Sequence, residues 1–400
     1  MKVLVICQHY WPENFRVTEI CEDLVQRGHQ VTALVGLPNY PTGIVPDEYK
    51  HFRNRRQFRN GVEIRRCFEI GRKPGKIGLA VNYVSYMLSA TIKALLLKRD
   101  YDVIYAFSTS PVLMSLPAAV LRCFTSRKYM IYVLDIWPAC LSAMKVYEGS
   151  PLYEFMKPVS RWIYRKADVL IYSSLRFQAY LKNVHHLQVP QKYYMPQFAD
   201  DIFKEKLAEK PLSEYTELVF AGNIGIMQSV ETLIRAAALL RDYPLRWHFV
   251  GDGSSYEDCK QLANDLHLSD RVIFYGRKPL EEMPKYYAMA DAMLVSMKDD
   301  ISFNETLPGK VQSYMAVGKP ILGSITGETA CLFESVQCGL CAPPENPEAF
   351  AEIVKQFLAM PDREAMGRRG AEYYAQYFTK KQHMDRLEAM LLEMAGEKKL

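Results

Sequence analysis

No stretch of this 400-residue chain reaches the run of about 18 apolar residues that a bilayer-crossing helix requires. The uncharged apolar segment Ile77–Ile92 is interrupted by Asn82 and by tyrosine and serine hydroxyls, so it is expected to lie on a membrane rather than cross it. The apolar run that opens the chain stops at polar residues and Pro12, too short for the core of a signal peptide, and the protein is expected to stay in the cytoplasm. A disulfide framework is missing too. The nine cysteines are odd in number and scattered, which suits a reducing compartment, and the single C-x-x-C pair, Cys338 and Cys341, has no second pair or His cluster to complete a zinc site. H-E-x-x-H, Asp-x-Asp and clustered His/Cys are absent, so no bound metal or cofactor is expected. The first strand pattern runs into Gln8-His9-Tyr10-Trp11-Pro12-Glu13 instead of G-x-G-x-x-G, which speaks against a nicotinamide oxidoreductase, and no P-loop occurs.

What is present is an average soluble composition long enough for about two domains. Short β-branched runs alternate with amphipathic stretches, the pattern of parallel sheets covered by helices. Strands are predicted at 2–7, 30–35, 62–67, 102–106, 128–134 and 168–172. A second series follows at 218–221, 247–251, 272–275, 292–296, 320–323 and 339–342. The polar, lysine-rich stretch Pro196–Glu217 separates them and reads as the linker. The division is therefore 1–196, 197–370, and a helical tail 371–400 that crosses back to brace the first domain. Two doubly wound α/β domains would face a cleft lined by loops at strand carboxyl ends.

Charge is polarised. Residues 1–196 carry 27 basic against 14 acidic side chains, +13, while 197–400 carry 23 against 31, −8. Arg53, Arg55, Arg56, Arg59, Arg65, Arg66, Arg72, Lys73 and Lys76 precede the apolar, tyrosine-rich pattern 77–97. A cationic cluster beside an amphipathic helix is the composition of a peripheral contact with an anionic membrane. No nucleic-acid reader motif accompanies these charges, so nucleic acid is not expected as a partner.

Candidate site residues follow the strands. Gly222-Asn223-Ile224-Gly225 lies between a strand and a helix, where backbone N–H groups and the helix dipole favour a phosphate. Gly251 and Gly253 follow the next strand, in a turn that serves equally as the start of a helix. Glu305 and Lys310 flank the Pro308-Gly309 turn that opens a helix, a carboxylate for sugar hydroxyls and a cation for phosphates. In the first half Asp135, in Asp135-Ile136-Trp137-Pro138, is placed to act as a base or hold a hydroxyl, or simply to cap a turn. His9 and Tyr10 follow the first strand and Asn39-Tyr40-Pro41-Thr42-Gly43 the second, while His185 and His186 read as surface residues.

Taken together, Tyr10-Trp11-Pro12-Glu13, Arg27-Gly28-His29, Pro38 to Gly43, Asp135 to Pro138, Gly222 to Gly225, Val250 to Gly253 and Pro308-Gly309-Lys310 through Gly318-Lys319-Pro320 resemble the GT-B glycosyltransferases of family 4, over nearly the full length. Within that family they are similar to the WbuB-type aminosugar transferases of bacterial O-antigen and capsule clusters. The resemblance implies two Rossmann-like domains, a nucleotide-sugar donor in the C-terminal one, an acceptor in the N-terminal one, transfer with retention, and no metal. Glu305 matches the first of the family's two donor-facing glutamates, whereas the second falls on Ser313. The family's basic pair at the diphosphate falls on Asn223 and Gln228, which leaves Lys310, with Arg277, to supply positive charge, and Ala139 stands where an acidic residue commonly follows Trp-Pro.

The expectation is a cytoplasmic enzyme, peripheral on the inner face of the membrane, moving a hexose or N-acetylated aminosugar from a UDP-linked donor to a polyprenyl-diphosphate-linked saccharide of a surface polysaccharide. Glu305 and Asp135 are its expected catalytic residues. Gly222, Asn223, Gly225, Gly251, Gly253, Arg277, Lys310 and Ser313 are expected to bind donor, and His9, Tyr10, Glu13, Asn39, Tyr40 and Thr42 acceptor. A UDP-sugar 2-epimerase and a non-catalytic sugar-nucleotide-binding subunit are the alternatives.

Overall fold

The computed structural model describes residues 1–204 and 207–396. They form two compact units, one of residues 1–195 with the segment from Met384 onward, the other Pro196–His383.

In the first unit, seven strands form one sheet: β1 (Lys2–Ile6), β2 (Gln30–Val35), β3 (Arg56–Arg59), β4 (Val62–Arg66), β5 (Val103–Ser108), β6 (Lys128–Val133) and β7 (Val169–Tyr172). Their order is β3-β4-β2-β1-β5-β6-β7, and every pair is parallel except the β3–β4 hairpin. The central strands are apolar almost throughout, as strands covered on both faces must be. Strand order reverses between β1 and β5, so the loops after these two strands flank the crevice at the carboxyl end of the sheet.

The β3 strand departs from expectation. Its turn is Asn60-Gly61 with φ of 45° and 81°, the left-handed pair that a two-residue hairpin needs. The hairpin also pairs three of the nine basic residues of the expected cluster with carboxylates. Arg56 and Arg65 pair with Glu63, Arg59 pairs with Glu22, and Arg66 is buried and donates to the carbonyls of Trp11 and Gly36. Arg53, Arg72, Lys73 and Lys76 make no carboxylate pair among the described residues.

The stretch read as too interrupted to span a bilayer forms one helix, Gly75–Leu96, long and apolar enough by length and composition to cross one. Its two faces differ. Asn82, Tyr86, Ala90 and Ala94 are buried in the first unit, while Ile77, Val81, Val84, Leu88, Ile92 and Leu96 form an exposed stripe at helical spacing.

The second unit holds β8 (Thr216–Ala221), β9 (Leu245–Val250), β10 (Val272–Gly276), β11 (Ala292–Ser296), β12 (Ile321–Ser324) and β13 (Gly339–Ala342), all parallel, in the order β10-β9-β8-β11-β12-β13. Here the reversal lies between β8 and β11, which gives the loops after β8 and β11 the same standing as those after β1 and β5.

The tail divides later than position 371. Helix Glu364–Tyr377 packs on helix Gly309–Ala316 inside the second unit. The segment from Met384 belongs to the first, where Asp385 and Glu388 receive Arg27, Glu388 also holds His29, and Arg386 donates to the carbonyls of Lys192 and Tyr194. Leu387 and Leu391 are fully buried. Leu391→Ala should therefore destabilise the protein by about 2–5 kcal/mol. Denaturant unfolding checks this, and a loss below about 0.5 kcal/mol would show that the tail is not part of the fold.

Candidate active site

In the second unit, the loops after β8 and β9 lock together backbone to backbone. Gly222 N–H donates to Val250 O at 2.9 Å and Ile224 N–H to Asp252 O at 2.9 Å. A Cβ on Gly251 would stand 1.8 Å from Gly222 O, and its φ of 146° lies where side chains are strained. Gly251 and Gly253 therefore serve the packing of these two loops. Asn223 Nδ2 donates to Gln228 Oε1 at 2.8 Å, and the Gly225 N–H expected to face a phosphate donates to the same oxygen at 3.2 Å. The Asn223–Gly225 stretch thus satisfies itself.

Positive charge comes from the next loop. Tyr314 OH donates to Ala221 O at 3.0 Å and accepts from Ala221 N at 3.2 Å, which pins helix Gly309–Ala316 to the end of β8. Lys310 lies four residues earlier, one turn along the same face. Its Nζ stands 3.8 Å from the centroid of the Phe220 ring, and a Cβ on Gly222 would be 3.1 Å from that Nζ. The ammonium nitrogen is buried with no hydrogen-bond partner among the described residues, although part of the stem is accessible. Burial pulls Lys310 down from its ordinary 10.5 to about 7. The amine thus stands without a hydrogen-bond partner among the described residues, beside a glycine at the sheet's reversal point.

The other expected donor residues sit nearby along the chain with different environments. Glu305 is partly exposed before the Pro308 turn, and Ser313 is buried on helix Gly309–Ala316. Arg277 follows β10 at the sheet edge, with Nε 3.9 Å from Asp252 Oδ2 in a well-exposed pair.

In the first unit, Glu13 is the organiser. Its Oε1 accepts from the backbone N–H groups of Asn39 and Tyr40, both at 2.6 Å, and its Oε2 lies 2.8 Å from His9 Nδ1. His9 stacks on Phe15 at 4.7 Å and meets the edge of Tyr40, which is 48% exposed. Tyr40 thus presents surface, the His9 side chain is only 10% exposed, and Glu13 and Asn39 are buried and hold the loop. Tyr10 is a core residue beside Cys21 and is removed from the acceptor set by its burial. Thr42 is exposed, its Oγ1 accepting from Ile44 N within its own loop.

Asp135 follows β6 and accepts hydrogen bonds from the side chain and backbone of Ser110, in the loop after β5; burial raises its carboxyl and these bonds lower it. Tyr83, from helix Gly75–Leu96, feels the charges of Arg72, Asp135, Glu69 and Tyr40. His185 is not a surface residue: it is fully buried, its Nε2 meets Trp137 O at 2.7 Å, and burial draws its imidazole down to about 4. Sequence reasoning missed Tyr314, Phe220, Ser110, Glu69 and Asn82. Of these only Tyr314 had a signal, its spacing of four from Lys310.

Lys310 carries a stability cost with a definite sign. Its folded value lies below the unfolded one, so between about pH 7 and 10.5 the unfolded chain binds more protons and stability rises with pH. Lys310→Met should stabilise the ligand-free protein at pH 7 by on the order of a few kcal/mol and flatten that rise. Urea midpoints at several pH values test it, and an unchanged midpoint at pH 7 would mean that the amine is not buried alone.

Residues 14–191 match the model of the glycosyl transferase 4-like domain, and residues 202–373 that of glycosyl transferases group 1. WcaI of Escherichia coli K12, named for colanic acid biosynthesis, is 23% identical over 396 residues, covering 93% of this chain and 96% of its own. WbjE of Pseudomonas aeruginosa, named as a glycosyltransferase, is 23% identical over 335 residues, 81% of this chain and 82% of its own. HepE of Anabaena, solved in complex with UDP, superposes with a TM-score of 0.70 at 16% identity, over 98% of this chain and 100% of its own. The chain is a glycosyltransferase of the GT-B fold and belongs to the family in which a glycosyl transferase 4-like domain precedes a group 1 domain.

Proposed function

We propose that this enzyme moves a hexose or N-acetylated aminosugar from a UDP-linked donor, held by the second unit, to a polyprenyl-diphosphate-linked saccharide, held by the first, in the assembly of a surface polysaccharide. The observation that carries this reading is the buried, unpartnered Lys310 Nζ beside Gly222. A diphosphate oxygen there supplies the missing partner, and a charge-assisted bond in a low-dielectric site is strong. UDP in HepE supports the choice of nucleotide, and the name of WcaI supports a polysaccharide product.

In the transfer, the bond between the anomeric carbon and the diphosphate oxygen breaks and a bond to the acceptor oxygen forms on the same face, with retention. The acceptor proton passes to the departing diphosphate. Lys310, rather than a divalent cation, stabilises the negative charge that grows on the leaving group. Glu305 orients the sugar through its hydroxyls, and Asp135 holds the acceptor hydroxyl. Positioning of this kind accounts for much of the rate in bimolecular transfers.

The lipid-linked acceptor places the enzyme on the cytoplasmic face of the membrane. Support comes from helix Gly75–Leu96, whose buried face belongs to the first unit and whose exposed face is the apolar stripe from Ile77 to Leu96. Arg72, Lys73 and Lys76 stand at the stripe's start without carboxylate partners among the described residues, in place for anionic headgroups.

Three outcomes test this reading. UDP release from one of a panel of UDP-sugars should depend on a membrane lipid extract from the source cell; UDP-sugar epimerised with UDP still attached would overturn transfer. Glu305→Ala should lower kcat about 100-fold or more, and a full rate would remove Glu305 from the site. Lys73→Glu with Lys76→Glu should weaken binding to phosphatidylglycerol vesicles by more than about 2 kcal/mol, read by cosedimentation, and equal binding to neutral vesicles would remove the headgroup role.

A further inference from the structure

Glu69 follows β4, and its carboxylate is buried with no ion pair among the described residues. Its Oε1 accepts from Gln8 Nε2 at 2.8 Å, Asn39 Nδ2 at 2.9 Å and Asn82 Nδ2 at 2.7 Å, and its Oε2 from Leu37 N at 2.9 Å. These four N–H donors come from three places that share no chain continuity: the end of β1, the loop after β2, and helix Gly75–Leu96. The approach is close enough that a Cβ on Gly36 would stand 2.0 Å from Oε2. An ionised carboxylate costs several kcal/mol to bury without a charge partner, and here the four N–H donors are what offset that cost. The group stays where its acceptor-only character joins those elements.

We infer that Glu69 is a positioning residue of the acceptor side, fixing the loop of Asn39 and Tyr40 and, through Glu13, the ring of His9. The connection is continuous. Glu69 holds the Asn39 side chain, the Asn39 and Tyr40 N–H groups hold Glu13 Oε1, and Glu13 Oε2 holds His9 Nδ1. His9, Tyr40 and Phe15 then form one aromatic group. The inference rests on the reading of the first unit as the acceptor holder.

Burial raises the Glu69 carboxyl to about 7 against the pull of Gln8, His9, Asn39 and Asn82. The other titratable groups in its surroundings are Cys67 at the end of β4 and Tyr83 and Tyr86 on helix Gly75–Leu96. A carboxyl whose buried value lies above its ordinary one is favoured there in its neutral form, so the ordered loop should hold below about pH 7 and loosen as pH rises through it.

The test is Glu69→Gln in the full chain, with the UDP-sugar and membrane lipid extract that support turnover of the unsubstituted enzyme. The apparent KM for extract should rise about tenfold while UDP affinity, measured by calorimetry, stays within twofold. Between pH 6 and 8 the acceptor KM of the unsubstituted enzyme should climb severalfold, and that of the variant, which cannot ionise there, should not. Asn39→Ala, which leaves the carboxylate in place, should show the same separation of acceptor KM from UDP affinity if the glutamine variant fails to fold. Acceptor KM within twofold in both variants, or a parallel loss of UDP affinity, overturns the role of Glu69 alone. Absence of lipid-dependent UDP release from the unsubstituted enzyme overturns the acceptor reading and this inference with it.

Discussion

An amine that loses its hydration must find a partner or lose its proton, and Lys310 is held where the protein offers it none. The surrounding structure explains how it is kept there. Tyr314 ties the helix to both backbone groups of Ala221, the Phe220 ring lies beneath the Nζ, and Gly222 leaves open the space a side chain would fill. The glycine turns after β8 and β9 close on each other, so the rim of that space is backbone locked to backbone. On the proposed reading, a donor diphosphate relieves the constraint, and the stability that the buried amine costs is given up for function.

The first unit solves the opposite problem with the same sheet logic. Its loops at the carboxyl end of the sheet carry two buried carboxylates, Glu13 after β1 and Glu69 after β4, each held by N–H donors. Their work is to shape loops. Tyr40 is the exposed member of an aromatic group whose other rings, Phe15 and the largely buried His9, lie against it, and Asp135 is held by Ser110 on the other side of the reversal. A cationic point in one unit and an aromatic, acidic surface in the other suit a diphosphate and a hydroxylated acceptor respectively.

Much of this was legible in the sequence, and the reasons differ by level. Strand positions came through to within a residue or two because fully covered parallel strands are continuous apolar runs, as in Val103–Ser108 and Lys128–Val133. The strand Arg56–Arg59 did not, since its charged residues read as a solvated cluster, although the Asn60-Gly61 pair marked the hairpin. Lys310 and the turn glycines stood out by residue type, yet which glycine faces a ligand and which faces another loop is a matter of tertiary contact; Gly251 is the latter. Glu69 had no local pattern at all. Its partners lie 61, 32, 30 and 13 residues away, and only the fold brings them together.

The most direct test of the central claim is a calorimetric titration of the full chain with UDP at pH 8 in two buffers of different ionisation enthalpy. If the diphosphate seats on Lys310, binding should draw close to one proton from the buffer, because an amine titrating near 7 must become cationic to hold it. Lys310→Met should abolish that uptake and weaken binding. UDP binding without proton uptake, and unchanged by Lys310→Met, would place the nucleotide elsewhere and contradict the account.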